Sequence, residues 1–189
     1  MDPIVVTVRR GKIEEARHVV HAVAVRDGAV VEEAGNPNRL AFLRSAAKPF
    51  QALPLVRARD DLTTEEIAIA SASHLASAEQ LAAVRSLLEK APAGEEELEC
   101  GPEPTPLEHN CSGKHAGMLA LCRTMGWASD GYRLESHPVQ NGCLLEVADA
   151  AGADPDEIPT AVDGCGVLTF ALPLERMALM FARLEQVDG

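Results

Sequence analysis

Leu40-Ala41-Phe42-Leu43-Arg44-Ser45-Ala46-Ala47-Lys48-Pro49-Phe50 runs from a short apolar segment into a serine and a lysine three residues apart, followed by a proline. This stretch decides the fold because it is where strands give way to helices. The apolar run is expected to feed a helix that starts at Ser45 and extends to about Arg57. Residues i and i+3 of a helix share a face, so the Lys48 amine is expected beside the Ser45 hydroxyl. A neutral lysine there can take the hydroxyl proton and turn serine into a nucleophile. The positive end of the helix and partial burial both lower a lysine pKa toward that role. The competing reading is a serine N-cap followed by an incidental lysine.

Upstream, residues 4–9 are β-branched and strand-like, and Gly11 breaks them. Residues 18–25 read as a second strand, Asp27-Gly28 as a hairpin turn and residues 29–33 as the return strand. The N-terminal quarter is thus expected to be an antiparallel meander that delivers the chain to the Ser45 helix.

Downstream, Thr63 or Thr64 caps a helix start, and the apolar run Ile67 to Ala72 ends at Ser73-His74. Ser77 to Lys90 has Ala, Leu and Val at helical spacing. An acidic connection, Pro92 to Glu99, and a proline-rich loop, Cys100 to Pro106, lead to His109-Asn110-Cys111-Ser112-Gly113-Lys114-His115. Met118 to Met125 reads as a buried helix, and Ser136-His137-Pro138 opens another that runs to about Ala150. Ala161 to Val167 reads as a strand entering a glycine-flanked turn, and Pro173 to Leu184 as a last apolar helix. Early antiparallel strands with helices clustered after them predict a mixed α/β (α+β) domain spanning residues 1–189.

The chain has 189 residues, 47% of them apolar and only 3% aromatic, so its core is built from Ala, Val, Leu and Ile. A net charge of -12 without a basic cluster argues against nucleic acid and anionic membrane surfaces as partners. Met1-Asp2-Pro3 opens no basic-then-apolar leader, which makes a cytoplasmic location the default expectation. Five cysteines at irregular spacing read as free thiols or ligands rather than a disulfide framework.

Four clusters carry chemistry: Ser45/Lys48, Ser73/His74, Asn110 to His115, and Asp163 to Gly166. Acyl transfer is the chemistry they share best. Ser45 is then the nucleophile, Lys48 its base, and backbone N–H groups at the helix start an oxyanion hole. Arg44 and Asp163 offer opposite charges for a zwitterionic amino acid. Ser73 and His74 are adjacent, so their side chains diverge and any proton partner of Ser73 lies elsewhere. The second reading is a metal: Cys111, His115, Cys165 and His109 are all possible zinc donors, although no paired-ligand spacing marks them. Cys111 and Cys165 as small buried residues are the alternative.

Taken together, Arg44-Ser45-Ala46-Ala47-Lys48-Pro49-Phe50-Gln51-Ala52-Leu53-Pro54, Ala72-Ser73-His74, Asn110-Cys111-Ser112-Gly113-Lys114-His115-Ala116-Gly117-Met118, His137-Pro138-Val139-Gln140 and Asp163-Gly164-Cys165-Gly166 resemble the asparaginase II family, the Rhizobium-type class 3 L-asparaginases. The resemblance implies a fold like the serine β-lactamases and glutaminases, and hydrolysis of L-asparagine to L-aspartate and ammonia. It implies that Ser45, Lys48 and Ser73 are catalytic, that Arg44 and Asp163 contact substrate, and that zinc is held by Cys111, Lys114 and Cys165. A cytoplasmic homodimer is the implied assembly. The resemblance also implies a longer chain: the lysine that pairs with Ser73 is expected beyond Gly189, and these residues read as the N-terminal part of the full fold. A proline is expected where Leu168 stands. A glutaminase or another acyl-serine amidohydrolase, or an inactive truncated remnant, are the alternatives.

Overall fold

The structure is a computed structural model that describes residues 1–102 and 104–184. Glu103, inside the expected proline-rich loop, and residues 185–189 lie outside the described residues.

The chain opens with two hairpins. Strands β1 (Ile4–Arg10) and β2 (Ile13–Val20) pair antiparallel around Gly11. Strands β3 (Ala22–Arg26) and β4 (Ala29–Ala34) pair around Asp27-Gly28, at φ 50° and 76°. Two successive left-handed residues are what a tight hairpin turn requires. The expected second strand, 18–25, is therefore divided between β2 and β3, and the meander is two separate two-stranded sheets. The charged run Glu14-Glu15-Ala16-Arg17 hides β2 from a hydrophobic pattern because the strand lies largely exposed. The break falls at His21, whose Nδ1 accepts the Asn36 N–H at 2.8 Å. Gly35 lets the chain pass this ring, since a Cβ there would come within 2.1 Å of it.

A third sheet sits at the core. Strand β5 (Leu40–Phe42) pairs with β7 (Leu168–Pro173), which pairs with β6 (Thr160–Val162), all antiparallel. β7 is buried from Leu168 to Leu172. It went unread in the sequence because a short continuous apolar run has no period to distinguish strand from helix. The β5–β7 ladder continues past β5, where the Leu43 N–H donates to the Phe170 carbonyl at 2.9 Å.

From β5 the chain passes through a 3-10 turn, Arg44–Ala47, into α1 (Lys48–Ala58). The helix expected at Ser45 thus begins at Lys48. Pro49 falls in its first turn, where the missing N–H has no helical partner to lose. Helix α2 (Thr64–Ala70) starts with a capping box: Thr63 Oγ1 accepts the Glu66 N–H at 3.3 Å, and the Glu66 carboxylate accepts the Thr63 N–H at 2.8 Å. Ser77 and Gln80 repeat that device at α3 (Ala78–Lys90). Helix α4 (Ser112–Met125) starts six residues before the expected Met118 and ends at Gly126. Helices α5 (Pro138–Ala151) and α6 (Leu174–Leu184) complete the described residues.

Helix α1 packs on α4 and α5, and α4 also packs on α2 and α3. Phe50, Leu87, Leu119, Val147 and Phe170 are among the residues buried between these elements. The contact of α4 with α2 is made over glycines. A Cβ on Gly113 would lie 2.2 Å from the Ile69 carbonyl oxygen, and one on Gly117 would meet the Ala70 Cβ at 3.3 Å. These glycines, four apart on one face, let the end of α2 approach the start of α4. That approach brings the turn just past α2 to the start of α4, where the His74 N–H donates to the Asn110 carbonyl at 3.3 Å. Among the described residues no helix is long and apolar enough to cross a membrane. The mixed α+β architecture expected from the sequence is the one found.

Candidate active site

Lys48 is the hub. It stands in the first turn of α1 and is only 1% exposed. A buried ammonium needs an oxygen for each proton. The Lys48 Nζ donates to Ser73 Oγ at 2.8 Å, to the Ala72 carbonyl at 3.2 Å and to the Asn110 carbonyl at 3.3 Å. Ser45, expected beside it, is not among these partners. Ser45 offers one oxygen at the surface, whereas the turn after α2 and the loop before α4 supply three. The Ser73 hydroxyl donates in turn to Ser45 Oγ at 3.3 Å. The three side chains therefore form a line: Ser45, Ser73, Lys48. Within the described residues Ser73 partners Lys48. Burial is the largest influence on Lys48 and lowers its pKa, against a raising influence from the nearby Cys111.

Arg44, next to Ser45, has φ 51°, in the left-handed region that a non-glycine residue occupies at a cost of about 1 kcal/mol or more. Two contacts hold it there. Its N–H donates to Thr169 Oγ1 on β7 at 3.0 Å, and its guanidinium pairs with Asp163 Oδ1 at 3.0 Å. Asp163 begins the loop between β6 and β7. Its N–H donates to the Val167 carbonyl at 2.8 Å, and its carboxylate accepts the Gly164 N–H at 2.8 Å. Gly166, at φ 88°, completes this turn and leaves Cys165 buried at its tip. Of the oxyanion donors expected near Ser45, the Ala46 N–H is already committed to the Leu43 carbonyl at 3.0 Å.

The loop tip meets the start of α4. The Lys114 Nζ donates to Cys165 Sγ at 3.2 Å, and both are buried. The neighbouring Cys111 is the largest influence that lowers the Cys165 pKa, with His115 and Lys114 acting in the same direction, and the Cys111 thiol itself donates to Asn110 Oδ1 at 3.1 Å. Cys165 beside it and burial together raise the Cys111 thiol. All five cysteines are free thiols. Cys111, Lys114 and Cys165 act on the charge of Lys48 as well, so the two clusters adjoin.

The two histidines read as further metal donors are used differently. His109 Nδ1 accepts the Cys111 N–H at 3.0 Å and so fixes the backbone there. His115 is fully buried, and its Nδ1 lies 2.7 Å from the Tyr132 hydroxyl. The Tyr132 oxygen already accepts the Glu99 N–H at 2.9 Å, so its hydrogen points to His115. His115 Nε2 has no hydrogen-bond partner, and burial pushes the ring down to about 4. Among the described residues no three His, Cys, Asp or Glu side chains gather as a metal cage. The cluster is two sulfurs and an amine.

The residues that hold the site together stand in the sequence motifs, but their partners do not. Gln51 Nε2 donates to the Leu168 carbonyl at 3.0 Å, and Gln140 Oε1 accepts the Leu168 N–H at 3.2 Å. These bonds fasten α1 and α5 to the strand behind Cys165. They also explain Leu168, since a proline there has no N–H to give. His74 and Ser112 form a second brace, described below. Glutamines and buried serines carry no spacing signal; only the fold reveals their partners.

No curated protein matches the chain significantly. The sequence does match the L-asparaginase II family from residue 6 to residue 189, a span that contains every residue of both clusters. The chain therefore belongs to the L-asparaginase II family, whose members are asparaginase-type amidohydrolases.

Proposed function

We propose that the chain hydrolyses L-asparagine to L-aspartate and ammonia, with Ser45 as nucleophile and Lys48 as the base that acts through Ser73. The observation that carries this reading is the Ser45–Ser73–Lys48 line, with contacts of 3.3 Å and 2.8 Å, in a chain of this family. Burial favours the neutral amine at Lys48. The hydrogen bonds then run the other way, from Ser45 to Ser73 and from Ser73 to the amine. Ser45 Oγ attacks the side-chain amide carbon while its proton passes to Ser73 and the Ser73 proton to Lys48. Lys48 returns a proton to the departing nitrogen, ammonia leaves, and water hydrolyses the seryl ester. Arg44 and Asp163, 3.0 Å apart, offer one charge each to the α-carboxylate and α-ammonium of the substrate.

Zinc belongs to the same proposal, and the donor set fits it. Cys111, Cys165 and Lys114 present two sulfurs and a nitrogen, and the 3.2 Å between Lys114 Nζ and Cys165 Sγ is near that of neighbouring zinc ligands. Zinc bond lengths give a ligand–ligand edge of roughly 3.5 Å. Bound there, the ion supplies positive charge beside the substrate pocket and favours the neutral form of Lys114. The test is metal content: about one zinc per chain, lost in the Cys111→Ala/Cys165→Ala double variant. Full zinc content in that variant overturns the site. The exposed apolar residues of β1 and β2, Ile4, Val5, Val6 and Val19 among them, are a surface that the expected homodimer would cover.

Ammonia release from L-asparagine and L-glutamine, measured side by side, tests the substrate. Preference for asparagine and its loss in Ser45→Ala support the proposal; preference for glutamine makes the chain a glutaminase. One observation favours a second nucleophile: Ser73 touches Lys48 directly, at 2.8 Å, and Ser45 does not.

A further inference from the structure

His74 follows Ser73, and the hydrogen bonds of its ring go to Ser112 and Ala76 rather than to Ser45, Ser73 or Lys48. It is 3% exposed, and both of its nitrogens are in use. Nδ1 accepts the Ala76 N–H at 3.1 Å. A nitrogen that accepts carries no hydrogen, so in the neutral ring the hydrogen is on Nε2. Nε2 lies 2.8 Å from the hydroxyl oxygen of Ser112, and so it donates there. Ser112 is fully buried and opens α4, between Cys111 and Lys114. The His74 N–H also donates to the Asn110 carbonyl at 3.3 Å, the same oxygen that accepts a proton from Lys48.

Besides the His74 ring, the segment that carries Ser73 is held by Lys48, through the Ala72 carbonyl and Ser73 Oγ, and by the backbone N–H of His74. Leu75 is 95% exposed and anchors nothing. Ala76 has φ 58°, a strained left-handed conformation that persists only under external restraint. Gln80 Oε1 accepts the Leu75 and Ser77 N–H groups at 3.0 Å each, which fastens the far side of the turn to α3. The near side, where Ser73 stands, is joined to α4 through His74.

We propose that His74 is a positioning residue: as the Nε2–H tautomer it fastens the Ser73 turn to Ser112 and so holds the Ser73 hydroxyl between Ser45 and Lys48. It touches none of the reacting atoms and acts through Ser73. The inference rests on the reading of Ser73 as the proton link.

Two near-isosteres separate its two bonds. The amide nitrogen of glutamine reaches close to the place of Nε2, and the amide oxygen of asparagine close to that of Nδ1. His74→Gln keeps the donor to Ser112; His74→Asn keeps only the acceptor for Ala76. His74→Asn and Ser112→Ala are each expected to lower kcat for asparagine by about 10–100-fold, as loss of an orienting partner does. KM stays within about twofold, His74→Gln keeps kcat within about threefold of wild type, and the His74→Asn/Ser112→Ala double variant is no slower than either single variant. The opposite order, with His74→Asn active and His74→Gln slow, overturns the proposal, because the ring then serves only the Ala76 turn. Ser112→Ala with wild-type kcat overturns it too. Amide hydrogen exchange in residues 73–77 gives a readout independent of turnover. It is expected to rise about tenfold in Ser112→Ala, and an unchanged rate overturns the brace. Absence of ammonia release by the wild-type chain, with exchange still dependent on Ser112, sinks the reading of the reaction and leaves the brace standing.

Discussion

Replacing Lys48 with methionine removes the amine and keeps most of the length and the apolar stem. Three hydrogen bonds from Nζ are lost, to Ser73 Oγ, the Ala72 carbonyl and the Asn110 carbonyl. Hydrogen bonds to charged groups contribute about 1.5–3 kcal/mol each, so the loss is about 4.5–9 kcal/mol. Against this, the variant no longer buries an ammonium that is 1% exposed, a burden of several kcal/mol. The two effects nearly cancel, and unfolding free energy is expected to move by no more than about 2 kcal/mol in either direction. Catalysis has no such compensation. Removal of a general base lowers kcat/KM by about 10²–10⁴-fold. Lys48→Arg is expected to be as slow, because a guanidinium keeps the charge and cannot accept a proton. Ammonia release and urea unfolding, run on the same preparations, read both quantities. Turnover of Lys48→Met within tenfold of wild type refutes the role of base. A stability loss above about 4 kcal/mol makes Lys48 a structural clamp first.

Other perturbations test the fold and the electrostatics. Gly113→Ala places a Cβ 2.2 Å from the Ile69 carbonyl oxygen and is expected to cost about 3 kcal/mol or more in urea unfolding. Gly142→Ala, inside α5 with Pro54 no nearer than 3.8 Å, is expected to stabilise by up to about 1 kcal/mol, which makes it the control. Leu168→Pro removes the N–H that Gln140 Oε1 accepts, and an unfolding midpoint lower by about 1–3 kcal/mol is expected even though proline is the residue the resemblance favours here. Lys48 has its pKa lowered from 10.5, chiefly by burial. The neutral base therefore gains as pH rises, and kcat/KM is expected to climb with a midpoint below 10.5 and to fall as pH drops through it. Between the lowered pKa and 10.5 the unfolded chain binds more protons at this site, so its contribution to stability rises with pH across that window and is complete above it. Lys48→Met flattens both profiles; a variant that keeps the slopes shows another group to be responsible.

The sequence made some elements plain and hid others for definite reasons. Ser77 to Lys90 announced α3 because its apolar spacing and its Ser-x-x-Gln cap agree. Residues 18–25 misled because β-branched residues continue across His21, where the chain changes sheet. α4 was foreseen only from Met118, because Ser112 to His115 look like a reactive loop; they are buried helix, made possible by glycines that fit against α2. The site residues were legible as types and as family motifs, and the structure brings Ser45, Lys48 and Ser73 into one cluster and Cys111, Lys114 and Cys165 into the next. Their pairing was not legible. Helical spacing put Lys48 on Ser45, but a buried ammonium goes where three oxygens converge, and that place is made by Ala72, Ser73 and Asn110 from elsewhere in the chain.

In the proposed reaction Ser45 attacks and Ser73 relays the proton. Mixing the protein with L-asparagine, quenching in acid within the first turnovers and mapping the peptides locates the aspartyl ester. The ester is expected on Ser45 and is expected to be absent in Ser45→Ala. An ester on Ser73, or ammonia release with no ester on either serine, contradicts this reaction.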